Sequence, residues 1–159
     1  MAKGELTIGD KAPAFSMETD GGGKVALADL KGKTVVLYFY PKDDTPGCTK
    51  EACGFRDNLP DFSKLDAVVI GVSRDSAASH DKFKRKLALP FALASDADGK
   101  MSTAYGTWVE KSMYGRKYMG IDRSTYLIDG AGVIRRVWRK VRVPGHVTEV
   151  LAAARAIAG

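Results

Sequence analysis

The chain has 159 residues and a formal net charge of +6, with 45% hydrophobic and 28% charged side chains, values typical of one soluble globular domain over residues 1–159. No apolar run is long enough to cross a bilayer, and the N-terminal stretch MAKGELTIGDKAP lacks the apolar segment of a secretory signal. Two cysteines give no disulfide framework, so we expect a cytoplasmic protein in which any disulfide is transient.

The predicted elements begin with a β-hairpin. The glycine triplet Gly21–Gly23 is a turn signal between the extended segments Phe15–Thr19 and Lys24–Leu27. The β-branched and aromatic run Thr34–Tyr40 then predicts a buried central strand, which Pro41 ends.

The remaining elements alternate between strands and helices. In chain order they are a helix from Pro46 to about Phe62, a strand Ala67–Val72, a helix Ser76–Leu87, a short extended piece Ala92–Leu93, a helical turn Ser102–Tyr105, two strands Ser124–Ile128 and Val133–Trp138 around the turn Asp129–Gly132, and a helix His146–Ile157. The segment with Trp108, Tyr114 and Tyr118 is predicted to be a lysine-rich loop. This order predicts an α/β protein with a thioredoxin-like fold, in which helices flank a central mixed β-sheet that follows an N-terminal β-hairpin.

Both cysteines lie in one short stretch, YPKDDTPGCTKEACGFR, at positions 48 and 53. Thr45 has the residue type of a helix N-cap and Pro46 suits the first helical position, which makes Cys48 the third residue of the helix. At that position the unpaired N–H groups and the helix dipole favour a thiolate. Alternatively, Cys48 is a small buried apolar residue, but this interpretation leaves the nearby Cys53 unexplained. The local pattern therefore favours a redox role.

The same stretch carries a resemblance to a known family. The segment PKDDTPGC, from Pro41 to Cys48, matches the pattern P-x-x-x-T-x-x-C of the peroxiredoxins, and Cys53 resembles the second cysteine of the bacterioferritin-comigratory, or Q-type, subfamily. The stretches IGDKAPAF, GVSRDS and DRSTYLID extend the resemblance over nearly the whole chain. It implies an antioxidant thiol-dependent peroxidase that reduces hydrogen peroxide and organic hydroperoxides and needs no cofactor or metal.

The resemblance also implies roles for five residues. Cys48 attacks the peroxide, Arg123 and the Thr45 hydroxyl stabilise the charge on the leaving oxygen, and Pro41 shields the pocket. Cys53 then forms a disulfide with Cys48, which thioredoxin or glutaredoxin reduces. The implied protein is a monomer, with a weak dimer as the alternative, and has no nucleic-acid or membrane partner.

Several site residues have a second interpretation. Arg123 also suits a surface ion pair with Asp122 or Asp129, and Thr45 also suits a plain N-cap. Glu51 either orients Arg123 or complements the positive helix N-terminus.

Other features favour structural roles. His80 and His146 are predicted to be surface or capping histidines rather than zinc ligands. The basic run Arg135–Arg142 is predicted to be a solvated strand edge, with a nucleic-acid-binding module as the alternative function. A general disulfide oxidoreductase is the third candidate, but the C-x4-C spacing lacks the C-x-x-C geometry.

Overall fold

The structure is a computed structural model that describes residues 6–158. The first five residues of the stretch MAKGELTIGDKAP lie outside the described part of the chain. The strands in the described part are β1 Ser16–Glu18, β2 Lys24–Ala26, β3 Thr34–Phe39, β4 Ala67–Ser73, β5 Ala92–Ser95, β6 Trp108–Met113, β7 Arg116–Ile121, β8 Ser124–Ile128 and β9 Ile134–Trp138.

The α-helices agree with the predicted ones to within two residues at each end. They are α1 Pro46–Lys64, α2 Ala77–Leu87, α3 Lys100–Ala104 and α4 His146–Ala158. Two short 3₁₀-helices, Asp20–Gly22 and Leu27–Leu30, lie in the N-terminal part of the described chain. No helix in residues 6–158 has the length and apolar character needed to cross a membrane.

A five-stranded sheet forms the centre of the molecule, with the strand order β5-β4-β3-β8-β9. The pairs β3–β4 and β4–β5 are parallel, whereas β8 runs antiparallel to both β3 and β9. Because α1 connects β3 to the parallel strand β4, it lies on one face of the sheet. The mixed sheet with flanking helices confirms the predicted fold class.

Strand β3 is buried on both faces and divides the core in two. Val36 and Tyr38 belong to the apolar cluster that includes side chains of α1, α2 and α4. Their neighbours Val35, Leu37 and Phe39 belong to a second cluster, which includes side chains of α3 and the N-terminal hairpin. This division follows from the alternation of side chains along a strand, and it explains why β3 is apolar or aromatic from Val35 onwards.

The predicted N-terminal hairpin is confirmed. Strands β1 and β2 pair antiparallel, with Ser16 opposite Ala26, and the glycine-rich turn between them is a 3₁₀-helix. Asp20 in this turn ties the hairpin to the rest of the chain, because its carboxylate contacts the Lys84 ammonium at 2.6 Å and the Leu93 backbone N–H at 2.9 Å.

The loop predicted around Trp108, Tyr114 and Tyr118 is wrong. This segment is the β6–β7 hairpin, with Trp108 opposite Ile121. Its two-residue turn has positive φ angles of 52° at Tyr114 and 77° at Gly115, the left-handed conformation that tight hairpins require. The sequence gives only a weak sign of these two strands, because both faces of the β6–β7 hairpin are largely exposed. Apolar and polar residues therefore do not alternate clearly along them.

Gly71 in β4 provides a test of the core packing. A Cβ atom at this position would lie 2.8 Å from the Tyr38 ring and 2.9 Å from a Leu93 methyl group. We expect Gly71→Ala to lower the free energy of unfolding by about 1–3 kcal/mol, because the buried neighbours have no room to move. Chemical denaturation measures this change, and an unaltered midpoint would contradict the tight packing.

Candidate active site

Helix α1 begins where the sequence predicts. Thr45 has the extended backbone of an N-cap, with φ −96° and ψ 156°, and its carbonyl accepts the Thr49 N–H at 2.8 Å. Pro46 is the first helical residue, so Cys48 is the third, as predicted. The N-cap position of Thr45 is therefore confirmed, although its side chain does not cap the helix and its hydroxyl donates to the Lys42 carbonyl at 2.9 Å. That bond closes the loop before α1.

The Cys48 thiol is buried against an arginine from a distant part of the chain. Its side chain is 1% exposed, and the Arg123 Nη2 atom lies 3.4 Å from the Cys48 sulfur. Arg123 lies in the short connection between β7 and β8. Gly47 makes room for the guanidinium, because a Cβ atom there would lie 3.1 Å from Nη2. A buried cation therefore faces the Cys48 sulfur at the positive end of α1.

Glu51 holds the other side of the same guanidinium. Its Oε1 atom lies 2.7 Å from Arg123 Nη1, and the carboxyl group has no exposed surface. Burial raises the pKa of Glu51 to about 7, against the opposing effect of the Arg123 charge. Burial lowers the pKa of Arg123, but the charges of Glu51 and Cys48 outweigh it and leave this pKa above its ordinary value. The geometry supports the orienting interpretation of Glu51.

The surface ion pair considered for Arg123 is wrong. The side chain is largely buried beside Glu51, and Asp129 instead accepts a contact from Arg135 at 3.4 Å. Only the tertiary structure brings Arg123 and Glu51 together, since 72 positions separate them in the sequence.

Tyr38 is a neighbour of the site that the sequence does not single out. It is fully buried, and its ring stacks on Phe55 of α1 with the ring centres 4.6 Å apart. Burial, followed by the charges of Glu51 and Cys48, raises the pKa of Tyr38 well above its usual value. Within the described residues, the Tyr38 hydroxyl and the Glu51 Oε2 atom lack hydrogen-bond partners. The alternation of β3 places Tyr38 on the α1 side, which is the signal available in the sequence.

Both cysteines are free thiols on one continuous helix. Cys53 is half-buried, in contrast to the buried Cys48. On a regular α-helix, residues five apart have Cα atoms about 8.7 Å apart and point to different faces. A disulfide needs a Cα separation of no more than about 6.8 Å. The two sulfurs therefore cannot join while α1 keeps this shape.

The remaining residues considered in the sequence are Pro41, His80 and His146. Pro41 is exposed directly after β3. His80 and His146 are both buried, so the prediction of surface or capping histidines is wrong. The His146 Nε2 atom lies 2.8 Å from the Thr125 hydroxyl, and burial lowers the pKa of His146 to about 4. In residues 6–158, no group of three or more His, Cys, Asp or Glu side chains is placed to hold a metal ion.

Part of the basic run Arg135–Arg142 is used inside the molecule. Arg139 donates to the Leu6 carbonyl at 2.7 Å and to the Tyr126 hydroxyl at 3.1 Å. The Arg136 guanidinium lies 4.8 Å from the centre of the Trp138 ring. These contacts account for much of the clustering that first suggests a nucleic-acid surface.

A buried thiol at a helix N-terminus, facing a fixed guanidinium on a thioredoxin-like sheet, defines the thiol-dependent peroxidases. The family model described as "AhpC/TSA family" matches residues 8–137. The chain belongs to this family, as a peroxiredoxin of the bacterioferritin-comigratory, or Q, type. It is accordingly a peroxidase that uses cysteine thiols, which confirms the resemblance found in the sequence.

Relatives match over nearly their full length. Peroxiredoxin Bcp of Bacillus subtilis (strain 168) is 53% identical over 146 residues, which cover 92% of this chain and 93% of that protein. The structure of a cysteine-to-serine mutant of Xylella fastidiosa PrxQ has a TM-score of 0.93 at 40% identity, covering 99% of this chain and 100% of that one. The bacterioferritin comigratory protein of Xanthomonas campestris, described with alkyl peroxide reduction activity, has a TM-score of 0.88 at 44% identity, covering 91% of this chain and 92% of that one.

The contact between Arg123 and Cys48 leads to a kinetic prediction. We expect Arg123→Ala to slow oxidation of Cys48 by peroxide ~10²-fold or more, because it removes the cation that contacts the Cys48 sulfur and that would stabilise charge on a leaving oxygen there. Stopped-flow measurement of sulfenic acid formation tests this, with Arg136→Ala as a control that removes an exposed arginine. An unchanged oxidation rate in Arg123→Ala would show that this cation has no part in the reaction.

Proposed function

We propose that Cys48 is the thiol that attacks the peroxide and that Arg123 stabilises the charge this attack creates. The observation that carries the proposal is the 3.4 Å contact between Arg123 Nη2 and the Cys48 sulfur at the start of α1. In the first step, the thiolate attacks one peroxide oxygen and the O–O bond breaks. That oxygen remains on sulfur as a sulfenic acid, and the other leaves with the bonding electron pair and takes up a proton to become water or an alcohol.

The proposal gives two further residues, Thr45 and Pro41, a role in the attack on the peroxide. We propose that the Thr45 hydroxyl, which donates to the Lys42 carbonyl at 2.9 Å, donates to the peroxide when the substrate binds. Pro41, next to the buried Tyr40, limits the access of water to the loop before α1. The Cys48 backbone N–H is an additional donor, because the first N–H groups of a helix have no partner within the helix.

We infer that Cys53 resolves the sulfenic acid. Its thiolate attacks the Cys48 sulfur, the S–O bond breaks, the oxygen leaves as hydroxide and takes up a proton to become water, and a Cys48–Cys53 disulfide forms. No other cysteine is available within the chain, since the sequence has two. A dithiol protein then reduces the disulfide by exchange, and we propose thioredoxin or glutaredoxin for this task.

Hydrogen peroxide and organic hydroperoxides are the proposed substrates. The alkyl peroxide reduction described for the Xanthomonas campestris protein supports the second class, because that protein is 44% identical to this chain and the match covers 91% of this chain. A monomer, a cytoplasmic location and the absence of a nucleic-acid partner remain predictions from the sequence.

Two serine variants test the roles of the cysteines. We expect Cys48→Ser to abolish peroxide consumption in an assay coupled to thioredoxin and its reductase, because no other residue forms the sulfenic acid. Cys53→Ser should still be oxidised once by peroxide but fail to form the intramolecular disulfide, and excess peroxide should then over-oxidise Cys48. Mass spectrometry of both variants measures these products. Full turnover by Cys48→Ser would refute the first role, and unimpaired thioredoxin-driven turnover by Cys53→Ser the second.

Disulfide formation should unwind the start of α1. Because the two cysteines are too far apart on the intact helix, we expect the segment from about Thr45 to Gly54 to open on oxidation and to refold on reduction. Amide hydrogen exchange should accelerate in this segment of the disulfide form, whereas the central strand β8 serves as an unchanged reference. A disulfide-linked protein with equal protection throughout α1 would rule out this mechanism.

A further inference from the structure

A buried carboxylate fastens the loop that leads into α1. Asp43 lies in this loop and is 7% exposed. Its Oδ1 atom accepts the Tyr40 hydroxyl at 2.5 Å, and its Oδ2 atom lies 2.8 Å from the Ser79 hydroxyl and 2.7 Å from the His80 Nδ1 atom. Burial raises the pKa of the Asp43 carboxyl, but the hydrogen bonds from His80, Tyr40 and Ser79 outweigh it and hold this pKa below its usual value. Asp43 is therefore a carboxylate with hydrogen bonds to three different side chains.

His80 links this carboxylate to the sheet. The ring has no exposed surface, and its Nε2 atom lies 3.0 Å from the Ala94 carbonyl in β5. Both ring nitrogens thus lie within hydrogen-bond distance of an oxygen atom, and these two contacts fix the orientation of the ring. Removal of His80 would leave the buried Asp43 carboxylate with one hydrogen bond fewer, and a buried polar group without its partner costs free energy.

The backbone of the same loop residue is also fixed. The Asp43 N–H donates to Asp75 Oδ2 at 2.8 Å, and the Ser73 hydroxyl donates to the same oxygen at 2.7 Å. Asp75 lies between β4 and α2. The backbone of Asp43 is therefore hydrogen-bonded to this connection, and its side chain to residues of α2. Loops with few such anchors open at low free-energy cost, whereas this one is anchored at its centre.

The anchored residue lies between the groups assigned to the reaction. Pro41 precedes Asp43 by two positions, Thr45 follows by two, and α1 starts at Pro46. In the described contacts, neither Asp43 nor His80 touches Cys48 or Arg123, so the pair acts on the reaction through the loop. A small displacement of the first turn of α1 would move Cys48 away from Arg123, and such shifts have large effects on reaction rates.

We propose that His80 is a positioning residue which, through Asp43, holds the Pro41–Thr45 loop and the first turn of α1 in the arrangement that reacts with peroxide. The proposal rests on the proposed role of Cys48. It also implies that loss of the pair favours the unwound arrangement in which Cys48 reaches Cys53. The two chemical steps should therefore respond in opposite directions.

The test separates the two steps in single-turnover experiments on the full chain with hydrogen peroxide. We expect His80→Gln to slow Cys48 oxidation about 10-fold to 100-fold, and to accelerate the following disulfide formation several-fold. Ser102→Ala is the matched control, because it removes a buried hydrogen bond to Asp96 at 2.5 Å in a different part of the molecule. It should lower stability without changing either rate.

A second comparison covers the case in which His80→Gln does not fold. Ser79→Ala removes one hydrogen bond to the Asp43 carboxylate from a half-buried position and should change both rates in the same directions by a smaller factor. In a double-mutant cycle, Asp43→Asn combined with His80→Gln should react no more slowly than the slower single variant.

The possible results distinguish the two levels of the hypothesis. If wild-type Cys48 is not oxidised by peroxide, the proposed function is wrong. If wild type is oxidised normally, but His80→Gln and Ser79→Ala match Ser102→Ala in both rates, the positioning role of His80 is wrong while the proposed function stands. Slowing of both steps together would also overturn the positioning role, because it would indicate a general loss of structure.

Discussion

The Arg123 guanidinium is the centre on which the site depends. It contacts the Cys48 sulfur with one nitrogen and the buried Glu51 carboxylate with the other, so a single planar group fixes a thiol and an acid on the same helix. A buried cation is costly in free energy unless partners surround it. The surrounding structure therefore has to hold α1 and the β7–β8 connection close to each other. Gly47 leaves the space for the Arg123 guanidinium beside α1.

Strand β3 sets the relative positions of α1 and the β7–β8 connection. Its alternating side chains place Tyr38 against α1 and Leu37 against the opposite layer, while its pairing with β8 brings the residue before β8, Arg123, to the end of β3 where α1 begins. Cys48 thus lies on the helix that follows β3, and Arg123 lies in the connection that precedes β8, the strand paired with β3. The packing of β3 against α1 and its pairing with β8 therefore also bring Cys48 and Arg123 together.

Helix α1 has to satisfy two opposed requirements. For the proposed reaction it must be regular enough to hold Cys48 at the positive helix terminus, yet open easily enough for Cys48 to reach Cys53. Its first turn depends on the anchored loop before it, and Gly54 lets α4 approach so closely that a Cβ atom there would lie 2.9 Å from Val147. The two glycines, which lower helix propensity, thus also have packing roles, and tertiary contacts rather than propensity hold the helix in place.

The sequence by itself determined the features that depend on neighbours along the chain. The apolar run Thr34–Tyr40, the N-cap position of Thr45 and the helical position of Cys48 follow from local sterics and periodicity, and the structure confirms them. Contacts between distant residues were decided only in the tertiary structure. Examples are Arg123 with Glu51 and His80 with Asp43, pairs whose members lie 72 and 37 positions apart. The burial of His80 escaped sequence analysis for the same reason, because it depends on what packs around the residue. The β6–β7 hairpin escaped it because its exposed faces give no clear alternation of apolar and polar residues.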